Sequence, residues 1–196
     1  MNIKMPARLQ REIARALRLF KYERTDTGLL VGRKLIAGAF QHTLYRGETS
    51  DLALDPNLVV NQGLDYLLNA AFNGTTQVTQ WYIGLFSGNV TPAATWTGAN
   101  VVAQATEFTD YTPAARQAWN TDPTSSQSVG NAGDEAMFTF TGTGHTVRGA
   151  FLAQASARGA TTGILMAATR FSADRTGLGA PDRLGVEYVV TASDAG

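Results

Sequence analysis

The stretch "AMFTFTGTGHTVRGAFLAQA", residues 136 to 155, decides how the chain is read. Phe138 and Phe140 alternate with Met137 and Thr139, the period of two that sends successive side chains to opposite faces of a strand. The "GTG" at 142 to 144 reads as a tight turn, and "TVRGAFLAQA" then resumes as a second strand. Outward from this pair, "QWYIGLF" at 80–86, "GILMAATRF" at 163–171 and "LGVEYVVTA" at 184–192 repeat the signal between clusters of Gly, Ser, Thr and Asp. Leu184, Val186, Tyr188 and Val190 share one face of the last of these. Strands in series, with no helical pattern between them, predict an antiparallel β-sandwich of immunoglobulin-like or jelly-roll-like type.

Upstream the pattern changes. "NQGLDYLLNAAFNG" at 61–74 reads as a short helix with Leu64, Leu67, Leu68 and Phe72 on one face, stopped by Asn73–Gly74. Before it, "GETSDLALDPN" at 47–57 reads as a linker, and 28–46 as extended structure broken by Gly32 and Gly38. Residues 6–22 form a second helical pattern, with Leu9, Ile13, Ala16, Leu17 and Phe20 on one side. Arg8, Arg11, Arg15, Arg18 and Lys21 fall on the other, and Pro6 suits a first turn. The division expected is a basic helix and extended arm over 1–50 and a β-sandwich body over 51–196.

Charge supports that division. Residues 1–48 hold ten Lys or Arg against four Asp or Glu, a net +6, and the remainder holds six against twelve, a net −6. The formal net charge of zero is therefore the sum of a basic arm and an acidic body. The plain reading of the arm is a helix packing its apolar stripe on the body or on a neighbouring subunit. Its arginines also suit an acidic protein surface or nucleic acid. A membrane surface fits less well, because the stripe is short and carries no Trp.

Reactive chemistry is sparse. With no cysteine, disulfides and thiol nucleophiles are excluded. No run of about 18 apolar residues is present, and the arginine-interrupted N-terminus is not a secretory signal, so a soluble protein made inside a cell is expected. His42 and His145 stand alone in sequence, without a second His or paired carboxylate nearby. Ser87 and Ser172 lack the G-x-S-x-G setting of a nucleophile elbow. Asp134–Glu135 is an adjacent acidic pair in the polar loop 120–135, where solvation is the simpler role. "GTG" at 142–144 and "GLG" at 177–179 lack the third glycine and helix of a dinucleotide site. No cofactor, metal or specific nucleic-acid partner is expected.

The series "LVVNQGLDYLLNAAFNG", "TQWYIGLFSGNVTPAATWT", "ATEFTDYTPAARQAWN", "AMFTFTGTGHTVRGAFLA" and "GILMAATRFS" resembles a family of tailed-bacteriophage virion proteins with small β-sandwich domains. The likeness covers residues 58 to about 191; "YTPAARQAW", with Pro113–Ala114 before Arg116, departs from it. It implies a structural protein of the virion, made in the bacterial host cytoplasm, with no catalytic residues. Its leading implication is a capsid decoration or cement protein that binds the shell of the major capsid protein as a homo-oligomer, with a trimer favoured. The arm residues Arg8, Arg11, Arg15, Arg18 and Lys21 would then clamp a neighbouring subunit. The alternative is a neck, tail or head-fibre component whose loops contact a host glycan, with Trp96 and Trp119 as the candidate contacts and a core or interface place equally open to both. A tail-borne glycan hydrolase is a third and weaker reading. On any of them, Trp81, Ile83 and Leu85 should face one side of their strand and Tyr82 and Phe86 the other.

Overall fold

The computed structural model describes residues 22–24, 30–32, 34–123 and 126–194. The basic helix expected over 6–22, with Arg8, Arg11, Arg15, Arg18 and Lys21, lies outside the described residues except for Tyr22, which is in a strand. A short antiparallel hairpin, β1 (Tyr22–Arg24) and β2 (Leu30–Gly32), leads into the body.

The body is the expected antiparallel β-sandwich. One sheet runs in the order β4 (Thr49–Pro56), β3 (Lys34–Arg46), β14 (Arg183–Asp194), β11 (Ala136–Phe140), β8 (Tyr111–Thr112), with β10 (Ser128–Gly130) also on β14. The other runs β5 (Leu58–Val59), β13 (Leu165–Leu178), β12 (His145–Ala153), β6 (Trp81–Phe86), β7 (Glu107–Phe108), with β9 (Gln117–Trp119) also on β6. Two helices complete it, α1 (Asn61–Phe72) and α2 (Gly98–Ala105).

Between the sheets, alternation does what the sequence predicts. Leu184, Val186 and Tyr188 from β14, Phe138 and Phe140 from β11, Ile83 and Leu85 from β6, and Phe40 and Leu44 from β3 share one core, with Val190 packed at its margin. Each large side chain buried there stabilises by about 1.5–3 kcal/mol. The opposite face of β6 is covered as well: Phe86 packs with Phe151 and with Trp96, Val101 and Ala105 from the loop after β6 and from α2. The aromatic wall of β6 thus serves two cores, and the small-residue loop folds back to roof the second.

Five expectations about local structure are corrected. The arm does not extend to residue 50: β3 is central in its sheet, pairing with β14 from Tyr45↔Arg183 to Lys34↔Asp194. Gly38 does not break that strand; a Cβ there would lie 2.3 Å from the Val189 carbonyl, so glycine is what allows close strand approach. The supposed linker 47–57 is mostly the edge strand β4, in register with β3 from Arg46↔Thr49 to Ala39↔Pro56. Its acid and proline suit an edge, which does not need the full alternation of a central strand. The polar loop 120–135 contains β10, and residues 98–105 form α2 where no helix was expected.

Helix α1 is present but turned. Gly63 and Tyr66 are buried and Leu64, Leu67 and Ala70 pack against the main core. Leu68 and Phe72 point away, 59% and 85% exposed. Close packing of Gly63 explains the rotation, since a Cβ there would meet the Met166 carbonyl at 2.5 Å. The helix ends as read, with Asn73 donating to the Asn69 carbonyl and Gly74 at φ +68°.

Candidate functional site

The most chemically suggestive cluster is buried near the β3–β4 edge. His42 on β3 is fully buried and its ring stacks on Phe171 of β13 at 3.8 Å. Its Nε2 is 2.8 Å from Oδ2 of Asp55, and Arg175 Nε donates to its Nδ1 at 3.1 Å. A guanidinium only donates, so Nδ1 accepts and the proton sits on Nε2, donated to Asp55. Arg175 also reaches the Asp51 carboxylate and, at 3.2 Å, its carbonyl. Asp55 Oδ1 accepts the Ser172 N–H at 2.8 Å.

Burial, with the nearby Arg175 charge, holds the His42 imidazole below its ordinary range despite the opposing pull of Asp55. Burial pushes the Asp55 carboxyl up, but hydrogen bonds from His42 and Ser172 outweigh it and hold the group below the usual carboxylate range. A histidine–aspartate pair resembles half of a hydrolase triad, but here Nδ1, the remaining ring nitrogen, is taken by Arg175. The cluster ties β3, β4 and β13 together across the sandwich, and no face of the ring is open to a substrate.

His145, the other histidine, donates its Nε2–H to the Thr141 carbonyl, 2.7 Å away, and its Nδ1 is 3.6 Å from Asp110. It packs edge-on against Phe108. Asp134 and Glu135 do not act as a pair: Asp134 accepts from Asn120, and Glu135 accepts the Tyr45 hydroxyl. Ser87 and Ser172 likewise serve backbone contacts. Among the described residues no group of three or more His, Asp or Glu is placed to hold a metal ion.

The arginines of the body show where its positive charge goes. Arg116 makes a bidentate, buried pair with Glu107 at 2.7 and 2.8 Å. Arg148 and Arg170 converge on Asp174. Arg175 is held by Asp51 and His42. Arg158 binds the carbonyls of Thr109, Tyr111 and Pro113 and lies 4.1 Å over the Tyr111 ring. Arg183 lies over Tyr45 at 5.4 Å. Every arginine from 116 onward therefore has a partner within the body. None of this was visible from spacing, since the partners are joined only by the fold.

No protein-family model matches this chain, and no curated protein does.

Trp96 and Trp119, for which the sequence left ligand-contact, interface and core places open, are core side chains at 5% and 8% exposure. Trp96 meets Phe86 edge-on beneath α2. Trp119 lies opposite Trp81 in the β6–β9 pair and donates its Nε1–H to the Tyr188 carbonyl of the facing sheet at 3.0 Å. Among the described residues, the large apolar side chains that do face outward are Leu52, Leu58, Leu68 and Phe72. Spacing alone could not choose among these places, because the loop that carries Trp96 folds back onto β6 only through long-range contacts.

Proposed function

We propose that this protein is a bacteriophage capsid decoration, or cement, protein that binds the assembled major capsid protein shell as a symmetric homo-oligomer. In this reading the sandwich is the body, and the basic arm, through Arg8, Arg11, Arg15, Arg18 and Lys21, clamps a neighbouring subunit. The observation that carries it is the internal commitment of the body's arginines, set beside a sequence whose excess positive charge, +6, is concentrated in residues 1–48. The likeness to virion β-sandwich proteins and the closed character of the His42 cluster support the same reading. Leu68 and Phe72 on α1 give the body an apolar contact beside the exposed carboxylate of Asp65.

A ligand site that exists only on the assembled shell stabilises that state by mass action. Repeated weak contacts on a lattice add through effective concentration. Quantitative densitometry of purified particles, with antibody labelling in the electron microscope, tests the proposal. Many copies spread over the shell are expected. A few copies at one vertex would move the protein to the neck or tail.

A further inference from the structure

On the outer face of the β12–β6 sheet lies an open groove of about 700 Å³ that the reading above does not use. Its polar lining is Gln77, Thr79, Gln80, Tyr82, Gln154, Ser156 and Thr162, and the small residues Ala157 and Gly163 line it as well. The volume is within the range of about 300–1,000 Å³ typical of ligand pockets. No charged side chain lines it.

Both walls are irregular segments, and both are fixed by buried anchors. The 154–163 loop is held by the Arg116–Glu107 pair: Arg116 donates to the carbonyls of Ala155 and Ala160 at 3.1 and 3.2 Å, and Glu107 accepts the Gly159 N–H at 2.7 Å. Gln154 closes the loop on itself, its N–H on the Ile164 carbonyl and its Oε1 accepting the Ile164 N–H. The opposite wall is held by Tyr66, whose hydroxyl accepts the Val78 N–H at 2.7 Å, and by Gln80, which donates to the carbonyls of Trp81 and Trp119. Burying an ion pair is costly and a hydrophobic replacement often serves stability as well, so a pair whose spare donors order a surface loop points to a loop whose shape matters. Walls set before binding reduce the ordering cost that a ligand would otherwise meet.

We infer that this groove binds a neutral oligosaccharide chain. Amides and hydroxyls both donate and accept, as sugar hydroxyls do, and the absence of charge in the lining disfavours an anionic or cationic ligand. Tyr82, half-buried on the outer face of β6, is an aromatic side chain in the lining, the type of residue on which the C–H face of a pyranose packs. An open trough suits a chain passing through rather than an enclosed small molecule. An extended peptide fits less well: Tyr82 is already paired with Ala153 on one side and Ala118 on the other, leaving no strand edge there for an added strand. The inference does not depend on the protein's place in a virion.

The test is an NMR titration of the full-length, nitrogen-15-labelled protein with three neutral probes, maltohexaose, cellohexaose and chitohexaose, and with a sulfated heparin fragment as the charged control. Saturable shifts confined to 77–82 and 154–163 with at least one neutral probe, unchanged by added salt, are expected. Ala157→Arg and Thr162→Arg, both at exposed positions, should each weaken that binding by about tenfold or more while leaving the remaining spectrum in place. Two variants at separate points on the rim keep the test sound if one disturbs the fold. No saturable shift with any neutral probe, shifts elsewhere on the surface, binding of the sulfated fragment alone, or unchanged affinity in a folded variant would overturn the inference.

Discussion

The Phe151 ring of β12 covers Gly84 of β6, so closely that a Cβ on Gly84 would lie 2.2 Å from it. Along the same ladder the relation is reversed, with Phe86 of β6 covering Gly149 of β12, where a Cβ would lie 2.1 Å from the ring. Each glycine gives its cross-strand phenylalanine the space to lie flat on the sheet, and the two rings together floor the second core beneath α2. A glycine in a strand interior weakens it on propensity grounds, and here the covering ring supplies packing in return.

Gly84→Ala and Gly149→Ala should therefore destabilise although alanine is the better strand former. Overpacking of this kind costs about 1–3 kcal/mol, and Gly149 stands at the upper end because its Cβ would also meet the Thr169 carbonyl at 2.2 Å. Urea denaturation checks this. Unchanged midpoints would mean that the rings move aside freely and that the second core is loosely packed.

The His42–Asp55 pair makes a prediction about pH. His42 is held neutral below its ordinary 6.5, so below that value the unfolded chain takes up a proton that the folded chain does not. Stability falls as the pH drops from about 6.5 toward the folded-state value, with a slope of at most about 1.4 kcal/mol per pH unit from this group. Asp55 has its carboxyl held below the ordinary 3.8, so its contribution is present above 3.8 and is lost on further acidification. Both effects run the same way, with His42 acting first. In His42→Gln the slope just below pH 6.5 should flatten, although the variant is less stable at neutral pH. Parallel curves for the two proteins would assign the acid sensitivity to other groups.

Arg116 and Glu107 separate global stability from loop order. Their side chains are only 1% and 2% exposed, so Arg116→Ala leaves a buried carboxylate uncompensated and should cost about 3–5 kcal/mol. Replacing both, as Arg116→Met with Glu107→Leu, should recover much of that loss. The recovered protein should still exchange its Gly159 amide faster, because that N–H loses its acceptor. Hydrogen exchange read beside denaturation distinguishes the two roles. A Gly159 amide protected as in the parent would show that the ion pair is not what orders the loop.

The sandwich was legible because its central strands are buried on alternating positions; Phe138 and Phe140, or Leu184, Val186 and Tyr188, state their own faces. What the sequence hid was what long-range contacts decide. β4 reads as a linker because an edge strand needs little alternation, and Gly38 reads as a break because the carbonyl that requires it, on Val189, is far away in the chain. Helix α2 has only eight residues, begins at Gly98 and contains adjacent valines, a weak local signal rescued by the apolar roof it completes over Phe86 and Phe151. The arginine partners and the groove walls were invisible for the same reason, since Glu107 and Gly159 meet only in the fold.

The last prediction separates the arm from the body in binding. Changing Arg8, Arg11, Arg15 and Arg18 together to Gln in the full chain should leave the sandwich's thermal unfolding unchanged and weaken binding to assembled shells. Because exposed charges are screened over about 10 Å at 0.1 M salt, binding by the parent should fall as salt rises, and the four-fold variant should lose most of that dependence. Phe72→Asp tests the body's contact independently. At 85% exposure the substitution should alter stability by no more than about 0.5 kcal/mol. It should lower shell affinity while preserving the salt dependence, since it removes apolar contact and leaves the arginines in place. Sedimentation of shells with labelled protein across a salt series measures both. If the arginine variant binds with the parent's affinity and salt dependence, the arm is no clamp; if Phe72→Asp alone is unaffected, the shell is held by the arm and by another face of the sandwich.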